Sequence, residues 1–343
     1  MKPSGSARRI AVVTIAWAAI ALLCASAGSA SRGLPRVAAA ARQLAQGGAT
    51  SAIVFVSNGS HSLVATAGQR HPSANQRFLI GGVTNTFTAA LVMQLADQHR
   101  LRLDDSLARY LRGVVPEGSK ITIRELLQHE SGLANITDYV TWIENADRSR
   151  TLRPIDTLRF AASKPLLFEP GTQWSYSNTN YIALGLIIEK VTGHSYRSEL
   201  TQRILRPLKL TATELPTTRT LRDLHNPGYN PLLTWAAGAI VSNTNDLSRF
   251  FQALRAGRVV SKTAVTQMEQ SVPANTVFGL WQGDGLGILS TQLPCGKFWG
   301  HDGLILDYST IVEASPRGRV GVISVRSDNW KLPNPNMATL LCS

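Results

Sequence analysis

The sequence predicts an α+β fold: one antiparallel sheet assembled from the two ends of the chain, with a mostly helical lobe inserted between them. Three observations predict it. Strand-like runs sit near residues 52–65 and again after residue 275, while the stretch between them carries helical spacings and caps. Several neighbouring strand runs are joined by short turns, which only antiparallel pairs allow. The chain of 343 residues is 44% hydrophobic and 17% charged, enough for a sizeable core and too little charge for disorder.

The first 30 residues predict a targeting segment rather than structure. Lys2, Arg8 and Arg9 are followed by an apolar run from Ile10 to about Leu23, then by the small residues Ala25 to Ala30. This is the order of a secretory signal peptide, with cleavage after Ala27 or Ala30. An uncleaved anchor would need a longer run of about 20 apolar residues. Residues 31–343 then form the folded unit. Its sheet lobe is expected over about 36–92 and 262–343, and its helical lobe over about 93–261.

Along the folded unit, residues Val37 to Gln46 predict a short Ala-rich helix, and Ala52–Val56 with Ser62–Ala65 a hairpin around Asn58-Gly59. Phe87, Leu91 and Leu95 recur every four residues in a helix from Val83 to about Asp97, so one face is expected to be buried. Ile123 to Gln128 is a helical turn stopped by His129-Glu130-Ser131-Gly132. A longer helix is expected from about Tyr181 to Val191, stopped by Gly193, and another from Asn245 to Ala256, capped by Asn243 or Thr244 and stopped by Gly257. Gly287–Leu289, Tyr308–Val312 and Val320–Val325 predict strands, and a last helix reaches Cys342. A cleft between the lobes is the default place for a site.

Composition narrows the partners. Residues 1–30 hold three cations and no acid, so the remainder carries 32 Lys and Arg against 22 Asp and Glu, a net charge of +10. On an exported chain this favours an anionic cell envelope. Nucleic acid is not expected, because the cations are scattered and no reading motif occurs. No stretch past residue 30 is apolar enough to span a bilayer. There is no His-x-x-x-His and no Cys-x-x-Cys, so neither a metal nor a cofactor is expected; Gly283-x-Gly285-x-Gly287 lacks the βαβ context of a dinucleotide site. After export Cys295 and Cys342 remain, an even pair expected to bridge in an oxidising compartment; the alternative is two buried thiols.

Three short segments carry the chemistry: Phe78-Leu79-Ile80-Gly81-Gly82-Val83-Thr84-Asn85-Thr86-Phe87, Trp174-Ser175-Tyr176-Ser177-Asn178, and Trp299-Gly300-His301-Asp302-Gly303. In order and spacing they resemble the motifs of the penicillin-recognising serine hydrolases, above all class C-type β-lactamases and Streptomyces-type D-alanyl-D-alanine carboxypeptidases. That family has Ser-x-x-Lys at a helix start, Tyr-x-Asn on a loop and His/Lys-x-Gly on a strand. Ile123 to Leu133, Ala237 to Ser242, and Cys295-Gly296 with a second cysteine at the chain end are similar too. The resemblance covers nearly all of residues 38–342 and implies a β-lactamase/transpeptidase-like fold in a bacterial protein, secreted or held at the cell wall, with a peptidoglycan-like peptide or a small ester or lactam as ligand.

The chain departs from the family where acylation happens. The Ser position is Gly82 and the Lys position Asn85. Residues three apart share a helix face, which lets an amine take the proton of a hydroxyl. Gly82 has no side chain, and the amide of Asn85 accepts no proton in this pH range. Loss of such a nucleophile costs about 10⁶ in turnover. The resemblance assigns proton exchange to Tyr176, a substrate amide contact to Asn178, and the third-motif positions to His301 and Gly303. It makes the N–H groups of Gly82 and Leu304 the oxyanion donors, and Asp302 stands where a Thr helps hold a substrate carboxylate. A His beside an Asp is otherwise read as a surface pair. The expectation is a non-catalytic member that keeps the cleft. The alternatives are slow hydrolysis through a water activated by Tyr176 or Asp302, and an active parent form with Ser and Lys at positions 82 and 85.

Overall fold

A computed structural model describes residues 33–139, 152–225, 228–274, 280–327 and 337–342. The expected signal segment over residues 1–30 lies outside them. The strands are β1 (Ser51–Ser57), β2 (Ser62–Ala67), β3 (Phe78–Leu79), β4 (Val241–Ser242), β5 (Val272–Pro273), β6 (Gly283–Asp284), β7 (Leu289–Leu293), β8 (Gly296–Ile305), β9 (Tyr308–Ala314) and β10 (Val320–Arg326). Eight of them form one sheet in the order β2-β1-β10-β9-β8-β7-β6-β5, and β3 pairs with β4 apart from it. Every pair is antiparallel. The two chain ends meet where β1 pairs β10, with Ser51 opposite Arg326 and Ser57 opposite Val320.

Strands β9 and β10 are buried at every position, because both faces of the sheet are covered. On the inner face Tyr308, Val312, Val320 and Val322 join the large core shared with the helical lobe. On the outer face Ile311, Ile323 and Val325 pack under Val37, Ala41 and Leu44 of the helical stretch 33–46 and under Met337, Leu340 and Leu341 of the last helix. Full burial of aliphatic side chains of this size is worth about 1.5–3 kcal/mol each.

The helix Thr84–Asp97 is buried all round: only three of its fourteen residues escape, where one buried face was expected. It runs between the sheet and the helical lobe, packing on the turn Gly81–Val83 and on helices Asn178–Thr192 and Trp235–Gly238. Its buried surface includes Thr84, Asn85, Thr86 and Thr88 besides the apolar residues, which the Phe87-Leu91-Leu95 stripe understates. Helix Asn178–Thr192 begins three residues before the expected Tyr181 and ends as expected at Gly193, whose φ of 77° only a glycine adopts at no cost. Asn243, not Thr244, caps helix Thr244–Arg255 by accepting from the Asp246 N–H. That helix, placed by the expected division in the helical lobe, packs on β10, β9 and β1.

Near the C-terminus the expected strand Gly287–Leu289 is corrected. Leu289 opens β7, while Gly287 has φ 76° and a Cβ there would lie 2.2 Å from the Ala89 Cβ. Gly287 is a close-approach glycine under the buried helix. Strands β5 and β6 hold two residues each, too short for alternation to show.

Cys295, in the β7–β8 turn, is bonded to Cys342. The bridge holds the last helix on Gly321, where any Cβ would meet Met337 and Leu341. A closure with sequence separation 47 lowers the entropy of the unfolded chain. The Cys295→Ser/Cys342→Ser variant should therefore lose about 2–4 kcal/mol in urea unfolding. A loss below about 0.5 kcal/mol would show that apolar packing alone seats the helix.

Candidate active site

The site forms at a free strand edge. Pairing of β7 with β8 stops at Leu289 opposite Gly300, whereas β9 pairs β8 through to Ile305. The edge of His301–Ile305 opposite β9 therefore packs against the tight 3₁₀ turn Gly81–Val83 that opens helix Thr84–Asp97. The approach is of backbone on backbone. A Cβ on Gly303 would lie 2.0 Å from the Ile80 carbonyl oxygen and 2.6 Å from the Gly82 nitrogen. Gly81, at φ 51°, would place a Cβ 2.9 Å from the Leu304 nitrogen. A Cβ on Gly82 would lie 2.8 Å from the Asp302 carbonyl oxygen, 3.1 Å from the Tyr176 hydroxyl and 3.2 Å from Cε1 of His301. Real Cβ atoms do not come within 3 Å of a backbone oxygen, so Gly82 is favoured here by space.

The remaining residues named from sequence meet at this point. Asn85 Nδ2 donates to the Tyr176 hydroxyl at 3.2 Å, and that hydroxyl donates to Asn178 Oδ1 at 3.4 Å. Asn178 is the first residue of its helix rather than part of the loop, and its Nδ2 donates to Asn135 Oδ1 and Thr137 Oγ1, each at 3.2 Å. Asn85 Oδ1 is buried with no partner. His301 is no surface residue: it is 1% exposed, and its Nδ1 lies 2.6 Å from the Asp302 backbone oxygen. A carbonyl only accepts, so Nδ1 carries the proton and Nε2 holds a lone pair.

Three contributors were given no site role from the sequence. His129, read there only as a helix stop, is buried with φ 57°, and its ring centroid stands 4.4 Å from that of Tyr176. Its Nδ1 accepts from the Ser177 N–H at 3.1 Å and from Asn180 Nδ2 at 3.0 Å, which leaves the proton on a buried, unpaired Nε2. Trp174 Nε1 donates to Asp284 Oδ2 at 2.9 Å across 110 positions of sequence, and Asp284 is 1% exposed. Nothing local in the sequence marks such pairs.

Burial sets the charges. It pushes His129 down to about 3, helped by His301 close by, and His301 down to about 4. It raises the Tyr176 hydroxyl, which the Asn85 amide only partly offsets. It lifts Asp284 well above the carboxylate range, with Glu130 and Asp302 adding to the rise, and Asp302 up to about 6 against the pull of Trp281 and its own N–H. At neutral pH both imidazoles and the phenol are neutral, and Asp302 is ionised. No side-chain nucleophile stands at position 82 and no base at position 85.

The Beta-lactamase family profile matches residues 37–329. The chain belongs to this family. It is similar to Penicillin-binding protein 4* of Bacillus subtilis, 28% identical over 272 residues, which are 71% of this chain and 59% of that protein. It is also similar to Protein flp of Staphylococcus aureus, 32% identical over 151 residues, 43% of this chain and 29% of that one. The chain thus spans less than two thirds of the length of these curated relatives. Among solved structures, a D-stereospecific amidohydrolase from Streptomyces sp. superposes with a TM-score of 0.77 at 31% identity, covering 85% of this chain and 94% of the other. D-amino acid amidase from Ochrobactrum anthropi SV3 shares the fold, with a TM-score of 0.79 at 20% identity over 89% and 97%.

Two outcomes follow from this member's geometry. Gly82→Ala should destabilise the protein by about 1–3 kcal/mol through overpacking, opposite in sign to the usual gain from Ala in a helical turn; unchanged urea unfolding would show that β8 yields freely. His301, a base held below its ordinary 6.5, contributes stability above pH 6.5 that is lost as pH falls towards 4. Against a His301→Asn variant, the parent should lose up to about 1.4 kcal/mol per pH unit over that window; parallel pH profiles would refute it.

Proposed function

We propose that this chain is an exported, non-acylating member of the β-lactamase family, whose cleft binds a small amide, peptide, ester or lactam ligand without forming an acyl-enzyme. The observation that carries the reading is the contact at Gly82. The position lacks a nucleophile, and the Asp302 backbone oxygen occupies the space that any side chain there would need. Asn85 supports it, since its amide is engaged with Tyr176 as a donor and cannot serve as a base. Tyr176 and Asn178 stay linked by a hydrogen bond, so a recognition surface persists beside the lost chemistry. The Streptomyces amidohydrolase supports an amide as ligand class. Export rests on the pattern of residues 1–30 and agrees with the Cys295–Cys342 bridge. A net charge of +10 past residue 30 would favour retention at an anionic envelope.

A second reading, slow hydrolysis through an activated water, finds its base in Asp302 rather than Tyr176. The hydroxyl of Tyr176 lies between two neutral amides, with its pKa raised, so the phenolate is absent at neutral pH. Asp302, at about 6, is ionised there and can accept a proton.

Incubation with a labelled penicillin, followed by intact-mass spectrometry, tests the main reading. The expected mass is that of the unmodified chain, and a stoichiometric covalent adduct would overturn the proposal. The Gly82→Ser/Asn85→Lys variant is expected to unfold more easily and also to stay unlabelled, because the new Cβ must first displace the backbone of Asp302. Labelling of that variant would favour the active-parent alternative, a cleft that lacks only two side chains.

A further inference from the structure

We infer that the outer layer of the sheet carries a second binding site, a cavity that takes an anion with an aliphatic chain: Arg36 and Arg319 hold the charged head, and Val37, Val56, Leu63 and Leu340 receive the chain. The cavity holds about 520 Å³, within the range of small-molecule sites. It lies apart from the cleft, because β1 and β2, which line it, stand three and four places from β8 in the sheet. The register explains its position. Ser57 opposes both Ser62 and Val320, so the β1–β2 turn and Arg319, just before β10, lie at the same end of the sheet. Val37 and Leu340, from the two helical segments over the outer face, belong to the outer apolar cluster, and Val56 and Leu63 pack against it. The helical stretch 33–46 lies close on β2: a Cβ on Gly33 would stand 2.6 Å from Leu63 Cδ1.

The polar groups around the cavity are mostly donors. Among the described residues the arginine ion pairs are those of Arg77, Arg109, Arg124, Arg153, Arg203, Arg255 and Arg326, so Arg36 and Arg319 meet no carboxylate. Arg319 Nη1 donates to the Leu341 carbonyl, which fixes the guanidinium and leaves its Nε and Nη2 for another acceptor. Asn58 Oδ1 already accepts from the His61 N–H at 3.0 Å and from Ser60 Oγ at 3.3 Å, and that hydroxyl lies 2.9 Å from His61 Nδ1. What remains on the acceptor side is hydroxyl oxygen and one imidazole nitrogen; no Asp or Glu lines the cavity. A carboxylate or phosphate matches the paired N–H groups of a guanidinium, while a cationic head would face two like charges. The apolar walls ask for a chain behind that head. A second cavity among the described residues, of about 440 Å³, shows the contrast: Asp97 accepts from Ser261, and Arg203 donates to Gln98 and Glu199, so its charges are matched within the protein.

Titration calorimetry at neutral pH with decanoate, acetate and decylammonium tests this, since the last two each lack one feature of the first. Decanoate should bind about tenfold or more tighter than either. Arg36→Gln, at an exposed position, and Arg319→Gln, checked for folding by its melting curve, should each weaken decanoate about tenfold. Arg42→Gln removes the same charge from the same helical stretch outside the cavity and should leave affinity within about twofold. Acetate or decylammonium equalling decanoate would overturn the inference, as would decanoate binding unchanged by Arg36→Gln, or no decanoate binding at all. Arg36→Gln decides the matter even if Arg319→Gln fails to fold. Given decanoate binding, co-sedimentation with phosphatidylglycerol vesicles that is lost in Arg36→Gln and kept in Arg42→Gln assigns the head to a bilayer lipid; co-sedimentation equal in the two variants, or absent, assigns it to a free amphiphile. Failure here leaves the non-acylating reading intact, because none of the cleft residues lines this cavity.

Discussion

The backbone contact between the turn at residues 80–82 and the free edge of β8 at residues 302–304 is the constraint on which the rest of the site depends. Three glycines make it possible. Gly303 lets the Ile80 carbonyl and the Gly82 nitrogen come within distances that no Cβ tolerates, Gly81 supplies the positive φ, and Gly82 leaves room for the Asp302 carbonyl. Helix and sheet are thereby held at the spacing of peptide groups rather than of side chains. The seam is thereby closed by peptide groups, and the residues around it are positioned by that closure.

Once the seam is closed, burial rather than ion pairing governs the electrostatics. With a neutral amide at position 85, desolvation acts on His129, His301, Tyr176 and Asp302 with little opposition. The imidazoles stay neutral, the phenol keeps its proton, and Asp302 is ionised. Hydrogen bonds then run outward from the buried Asn85 through Tyr176 to the half-buried Asn178 and Asn135, a chain of neutral groups.

The sheet explains why such a site can be built from segments so far apart. β1 closes on β10, so the chain ends are zipped together on the side away from the cleft, and the outer layer is tied by Cys295–Cys342. Because β7 stops short of His301 while β9 does not, β8 is paired on both sides only at Trp299 and Gly300, and from His301 onward it keeps an edge for the turn. A difference in strand length, not a special loop, creates the place where the three motifs meet.

By itself the sequence pointed to the fold class, the antiparallel sheet from both ends, the helix stop at Gly193, a cap at Asn243 or Thr244, and the cysteine pair, while the eight site positions from Gly82 to Leu304 came from short motifs through the family resemblance. These are legible because they are local: periodicity, turn chemistry and short motifs are written within a few residues. Tertiary structure alone decided what is written across distance. It enclosed helix Thr84–Asp97 on every face, made Gly287 a packing glycine instead of a strand residue, and brought His129, Trp174 and Asp284 to the cleft. It also turned the absence of a side chain at position 82 into a filled contact. Desolvation and close approach depend on every neighbour at once, and no single stretch of chain encodes them.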